Sequence, residues 1–275
     1  VVIRNPCAEE ELMQDKRAVR MQDAFVADVG DFGKYILLSL LSSAAGDRCR
    51  LGINWYYQKG EGEGGGAHTS YLAPGHPAAW RYRACNPVLY DALGRIVREE
   101  RRHLAAVERS PILPRGTATF SVPLPDPKAV PPERRVAARK AWFRRSEEAL
   151  AERDLLFLDP DNGIQPKELS VTGKFAGKFA LVDEIARYAE GGATLIIYNH
   201  RDRRPKPAYD RKLVCAARAA GCGDRMRVLR ARRMSVRDFI ILPRPEDLSW
   251  IDPVLESATT GPLSFLFSPY LVTGV

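Results

Sequence analysis

The 275-residue sequence has no C-x-x-C pair and few cysteines, only Cys7, Cys49, Cys85, Cys215 and Cys222. An odd, scattered set offers neither a zinc ribbon nor a disulfide framework. It points instead to reduced thiols and a cytoplasmic setting. No apolar run approaches the ~20 residues that span a bilayer, so no membrane-crossing helix is expected. The first residues, V-V-I-R-N-P-C and then acids, lack the basic and apolar regions of a signal peptide. Histidine is scarce, limited to His68, His76, His103 and His200. No Ser/His/Asp order and no activated-cysteine setting stands out, so acyl transfer has no support. Acids are in deficit, 34 against 42 Lys and Arg, leaving a net charge of +8.

What is present is a globular composition, 45% hydrophobic and 28% charged, long enough to bury one large core. Residues 1–20 change from acidic to basic without an apolar stripe and read as a disordered or loosely docked leader. Met21 is then a candidate start of the natural chain. Residues 21–275 read as one α/β domain, with a Gly-rich loop at 60–70 and a Pro-rich segment at 110–132.

Along the domain, Asp31–Ser42 has helical periodicity, with Asp28 or Asp31 able to cap it. Its Gly30-x-x-Gly33-Lys34 lacks phosphate-loop spacing, so it reads as a turn that delivers Lys34 to a cleft. Arg50–Tyr57 is a first central strand and Trp80–Cys85 a second strand. Asn86–Glu100 is a helix with a stripe of Val88, Leu89, Leu93, Ile96 and Val97, running on through residues 101–108. Ala118–Val122 is a brief strand, and Arg134–Arg153 an amphipathic helix. Leu155–Leu158 is an apolar run suited to a strand buried on both faces, followed at once by D-P-D-N-G. Phe179–Glu190 is a helix, Ala193–Tyr198 a second buried strand ending in N-H-R-D-R-R, and Pro207–Ala220 a helix. Met226–Ala231 and Asp238–Leu242 read as an antiparallel pair at the end of the sheet, before a helix within Glu246–Ala258. Strands alternating with helices imply a Rossmann-like, doubly wound, mostly parallel sheet with an antiparallel strand near the C-terminus.

In such sheets ligands sit beyond the carboxyl ends of the strands. That singles out Asp159, Pro160, Asp161 and Asn162 after one strand, and Tyr198, Asn199, His200 and Arg201 after the next. His68, with Thr69 and Ser70, ends the Gly-rich loop and can be carried in by it. His76 and His103 read as loop and surface residues. Basic residues crowd the interval 200–244, from Arg201 to Arg244, against only Asp202, Asp210, Asp224 and Asp238. Such a stretch suits RNA or DNA, although arginine-rich coding bias makes similar solvated faces.

The order of these features resembles the adenine-N6 methyltransferases of large-subunit ribosomal RNA. G-D-F-G-K-Y is similar to that family's Gly…Lys-His helix, with Lys34 matching and Tyr35 in place of His. C-N-P-V-L-Y-D-A-L is similar to its His-Pro segment and following helix. D-P-D-N at Asp159–Asn162 is similar to its catalytic Asp-Pro-Pro-Tyr, and D-F-I-I-L-P-R-P-E-D-L-S-W to its closing strand and helix. The resemblance implies a class I fold and S-adenosylmethionine as cofactor, held by Gly30, Lys34, Asn54 and Trp55. Asp159 and the Pro160 carbonyl would accept hydrogen bonds from an exocyclic amine. Asn162 cannot stack on a base as the family's aromatic does, so Trp55, Tyr56, Tyr57 or Tyr198 would supply that face. Two features depart from the family: N-W-Y-Y-Q fills the usual Gly-rich cofactor turn, and R-A-C-N stands where a ribose-binding acid ends the second strand.

Two other functions fit the residues. Asp159, Asp161 and His200, with His68 as a fourth group, would suit a hydrolase or nuclease using a divalent metal such as Mg, Mn or Zn. A non-catalytic nucleic-acid-binding module would use the 200–244 stretch, with salt-dependent affinity.

Overall fold

The computed structural model describes residues 23–58, 68–99, 102–233 and 235–274. The expected leader at 1–20, the candidate start Met21 and most of the Gly-rich loop lie outside them. In chain order the principal elements are α1 (Val29–Ala45), β1 (Leu51–Asn54), α2 (Ala79–Cys85), α3 (Pro87–Arg98), α4 (Leu104–Glu108) and β2 (Ala118–Phe120). Then follow α5 (Pro132–Ala149), β3 (Leu155–Leu158), β4 (Gly163–Ile164), β5 (Phe179–Ala180), α6 (Val182–Glu190) and β6 (Thr194–His200). The chain closes with α7 (Lys206–Ala219), β7 (Arg227–Ala231), β8 (Arg237–Leu242), α8 (Leu248–Ala258) and β9 (Phe267–Pro269).

Seven strands form one sheet in the order β2-β1-β3-β6-β8-β7-β9, while β4 and β5 make a separate small pair. The neighbours from β2 to β6 are parallel. β8 runs antiparallel to both β6 and β7, and β9 runs antiparallel to β7. The sheet is therefore mostly parallel in strand direction, with its reversals at the C-terminal side.

Strand geometry divides the core in two. Alternate residues point to opposite faces, and Ile53, Leu155, Phe157, Ile196 and Ile241 join one cluster with α1, α3 and α8. Leu156, Leu158, Leu195, Ile197 and Ile240 join the other, with α5, α6 and α7. Burial on both faces is why these strands read as continuous apolar runs. Asp28 caps α1 by accepting from the Asp31 amide at 3.0 Å, and Gly46, at φ 58°, ends that helix with its N–H on the Ser42 carbonyl.

Several expectations need correction. Trp80–Cys85 is part of a helix, α2, not a strand. Its aromatic and basic residues mimic strand alternation, but only Tyr82 is buried, with Trp80 70% exposed. The helix expected to continue through 101–108 does not: α3 stops at Arg98, and α4 begins separately after His103, whose Nδ1 accepts from the Ala106 amide. Val88 is 74% exposed and leaves the expected stripe to Leu89, Leu93, Ile96 and the partly buried Val97. Phe179 and Ala180 belong to β5, and their helix begins only at Val182. The β7–β8 pair is not the end of the sheet, because β9 covers β7.

After Asp161 the chain is tied down tightly. Asn199, fully buried at the end of β6, accepts the Ile164 amide at 2.9 Å and donates to the Tyr209 hydroxyl at 2.7 Å. Tyr209 donates to Asp238, which holds Arg230 through two contacts of 2.7 Å. Gly163 passes over this network at φ 97°, where an added Cβ would lie 2.2 Å from Asn199 Oδ1 and 2.7 Å from its Cα. Gly163→Ala therefore combines a disfavoured backbone with a backbone clash. It should cost roughly 2–4 kcal/mol of stability in urea unfolding; a change under about 0.5 kcal/mol would show that the segment can relax.

Candidate functional site

A cleft of about 290 Å³ opens at the carboxyl ends of β3 and β6. The first turns of α1 supply Gly30, Asp31 and Lys34 to its wall, and the end of β3 supplies Asp159, Pro160 and Asp161. Tyr198 and His200 enter from β6, Trp55 follows β1, and Arg233, Ser235 and Arg237 come from the β7–β8 connection.

Lys34 is at its centre. This lysine is only 8% exposed, with Nζ 2.8 Å from Asp159 Oδ2 and 3.1 Å from Asp31 Oδ1. It also lies over the Tyr198 ring, 4.3 Å from the centroid. Asp31 Oδ2 meanwhile accepts from the Ala27 amide at 3.1 Å and the Tyr35 hydroxyl at 3.2 Å. Burial opposes the lysine's charge, but Asp159 and Asp31 outweigh it and raise its pKa. Burial raises both carboxyls above the usual range, with Lys34 only partly offsetting it. The result is a retained ammonium between two carboxyls that hold protons more readily than free ones.

Of the residues expected at the site, Gly30, Lys34, Trp55, His68, Asp159, Pro160, Asp161, Tyr198 and His200 border this one cleft. Gly30 has a packing reason for its identity, since an added Cβ would meet the Tyr198 hydroxyl at 2.6 Å. Four others do not line it. Asn54 is fully buried, donating to the Tyr188 hydroxyl at 3.0 Å and accepting from the Tyr56 amide at 3.0 Å. Asn199 belongs to the network under Gly163. Arg201 stacks on Tyr209, 4.2 Å from its centroid, and donates to the Asp202 and Arg204 carbonyls. Asn162 donates its amide to the Lys178 carbonyl at 2.7 Å. Among the aromatic candidates, Trp55 and Tyr198 reach the cleft, whereas Tyr56 packs in the α5–α7 core and Tyr57 in the core around α1.

The expected metal constellation is not assembled. Among the described residues no three His, Cys, Asp or Glu groups could hold a metal ion together. Ammonium groups take the carboxylates instead: Lys34 holds Asp159, and Lys178 holds Asp161 at 2.9 Å. His200 faces cations. Burial first, then Arg237, Lys34, Lys212 and Lys178, lower its pKa to about 3.

Asp31 stands in the sequence only as a candidate helix cap, although the Asp31-x-x-Lys34 spacing places both on one helix face. Arg233 and Arg237 stand in the sequence only as members of the basic 200–244 stretch; their approach to the cleft, with Ser235, depends on the hairpin's position. Two residues next in sequence to cleft residues are strained, Ala27 at φ 64° and Tyr56 at φ 47°, held by Asp31 and Asn54 respectively. The basic stretch is largely committed within the fold. Arg201, Arg204, Lys206, Lys212, Arg227, Arg230 and Arg244 all have carboxylate partners. Arg203, Arg211, Arg218 and Arg232 remain exposed.

No family model matches the chain, and no curated protein matches it. Among the described residues no helix is long and apolar enough to cross a membrane.

The state of His200 gives a pH prediction. Unfolded, it takes a proton near pH 6.5; folded, it stays neutral down to about 3. Its effect on stability is therefore absent above about pH 6.5, and stability is lost as pH falls from there to about 3. His200→Gln should remove roughly 3–5 kcal/mol of acid sensitivity over that window. Denaturant unfolding of both proteins across that range measures the difference, and parallel profiles would refute the assignment.

Proposed function

We propose that the chain is an S-adenosylmethionine-dependent methyltransferase of Rossmann-like, doubly wound fold, acting on an amine of nucleic acid or of a small molecule. The observation that carries this reading is the 2.8 Å contact between Lys34 and Asp159. The two segments on which the resemblance rests most, G-D-F-G-K-Y and D-P-D-N, lie 125 residues apart at these two positions and meet in one cleft. The run β1-β3-β6-β8-β7, with its reversed strand next to last, is further support, since a late antiparallel strand is common to class I methyltransferases.

The donor set fits the cationic end of this cofactor. Asp28 and the Asp159 Oδ1 offer acceptors to its sulfonium and ammonium, while Lys34 and Lys178 already pair with Asp159 Oδ2 and Asp161. Gly30 and Lys34 would border it, whereas Asn54 is engaged elsewhere. No carboxylate follows β2, which ends at Phe120 before Ser121 and Val122, so the usual ribose contact has no counterpart there. When bound, S-adenosylmethionine supplies an electrophilic methyl group.

The chain's own residues provide orientation. Lys34 fixes Asp159 through Oδ2, while Oδ1 has no hydrogen-bond donor among the described residues. That oxygen and the Pro160 carbonyl can accept the N–H groups of an amine and aim its lone pair. Fixing both reactants supplies most of the rate in such a reaction. The metal-dependent alternative is disfavoured by the same contact, because an ammonium holds the carboxylate a metal would need.

Isothermal titration with S-adenosylhomocysteine should give saturable heat with the wild type. Asp159→Ala should reduce methyl transfer by at least about 100-fold, since it removes an acceptor at the reacting amine. Absence of heat with the intact protein would reject the proposal.

A further inference from the structure

The nine half-buried basic residues between positions 200 and 244 fall into two groups. Arg201, Arg204, Lys212, Arg227, Arg230 and Arg244 have carboxylate partners, and Arg225 is fastened to the Gly221 and Pro243 carbonyls. Arg233 and Arg237 remain. Arg233 donates Nε to the Phe265 carbonyl at 2.6 Å and stacks on that ring, 3.7 Å from its centroid. Arg237 donates Nη1 to the adjacent Val236 carbonyl at 3.2 Å. Neither has a carboxylate partner among the described residues, and both line the cleft.

Their placement follows from the hairpin. Arg233, Ser235 and Arg237 are two residues apart, and all three reach the same cleft. Arg237 starts β8, opposite His200 on β6 and Ala231 on β7, so the hairpin holds it beside the ends of the parallel strands. The cleft is thus polarised. Asp28, Asp31, Asp159 and Asp161 lie on the α1 and β3 side, with two guanidinium groups and a hydroxyl on the hairpin side.

An arginine takes few neighbours as well as a phosphate, which accepts two parallel N–H bonds from its fork. Two half-buried guanidinium groups with no carboxylate partner among the described residues leave N–H donors that a bound dianion can take. A volume of about 290 Å³ is at the small end for ligand clefts, so its hairpin edge would take the phosphate and part of a nucleotide rather than the whole of it.

We infer that Arg237 and Arg233, with Ser235, form a phosphate receptor that positions a nucleotide with its amine toward Asp159. This inference rests on the methyltransferase reading for the role of the amine; the phosphate receptor itself does not depend on it. The acceptor is a phosphate-bearing nucleotide, either free or as one residue of a single strand turned into the cleft. Most of the exposed basic surface is unnecessary to this selection.

The test measures binding of inorganic pyrophosphate, adenosine monophosphate, short single-stranded oligoadenylate and S-adenosylhomocysteine by titration calorimetry. The proteins are the wild type, Arg237→Met, Arg237→Lys and Arg233→Met. Pyrophosphate is the base-independent probe. It should bind the wild type, weaken at least about ten-fold in Arg237→Met and Arg233→Met, and be partly retained in Arg237→Lys. Homocysteine-cofactor affinity should stay within about two-fold, which a general loss of structure would not allow. Oligoadenylate binding tighter than the mononucleotide assigns the phosphate to a polynucleotide; equal affinity assigns it to a free nucleotide. The inference is overturned if pyrophosphate fails to bind the wild type, if the variants bind it equally well, or if they lose cofactor instead. Should Arg237→Met not fold, Arg237→Lys and Arg233→Met decide. Cofactor heat absent with the pyrophosphate effects intact rejects methyl transfer and leaves the receptor standing. The converse rejects the receptor alone.

Discussion

A lysine buried between two carboxyls governs the arrangement of the cleft. Lys34 joins α1 to the end of β3, and the cost of desolvating its charge is tolerable only while Asp31 and Asp159 stay beside it. Each partner is fixed in turn. Asp31 is held by the Ala27 amide and Tyr35, Asp159 donates its amide to the Asn54 carbonyl at 2.9 Å, and the Tyr198 ring covers the ammonium. Removing Lys34 would set two buried carboxyls beside each other, and removing Asp159 would leave the ammonium to Asp31 alone, so the constraint acts on the helix, two strands and the cleft together.

This arrangement explains why a polar cluster sits so close to the core. Leu155–Leu158 are buried on both faces, and the chain becomes polar only at Asp159. There the parallel strands end, and side chains from α1, β3, β6 and the β7–β8 hairpin converge. Acids collect on one side, and on the other stand Arg233 and Arg237, which have no carboxylate partner among the described residues. A ligand with an amine and an anionic group complements both, whereas a metal would have to displace Lys34 from Asp159.

The strands and helices that pack against them were legible because burial imposes periodicity. Leu155–Leu158, the 194–198 run and α1 all carry that signature, and the D-P-D-N turn stands out where it stops. Trp80–Cys85 was misread because α2 buries only Tyr82, leaving no apolar stripe for a helical period to act on. β9 has three residues, too few to show alternation. At the site, residue type located Lys34 and Asp159 but not their contact, which depends on how α1 crosses the sheet. Asn54, Asn199 and Arg201 have site-like identities and strand-end positions, yet their side chains satisfy buried partners. Arg237 had the opposite problem: it is one arginine among many, distinguished only by its place at the cleft edge, opposite His200.

In this arrangement Lys34 and Asp159 act as one unit. A double-mutant cycle in denaturant unfolding with Lys34→Met, Asp159→Asn and the pair tests it most directly. Each single substitution should cost roughly 3–5 kcal/mol, and the double should cost less than their sum by about 1.5 kcal/mol or more. Additivity within about 0.5 kcal/mol would show that the two residues act independently.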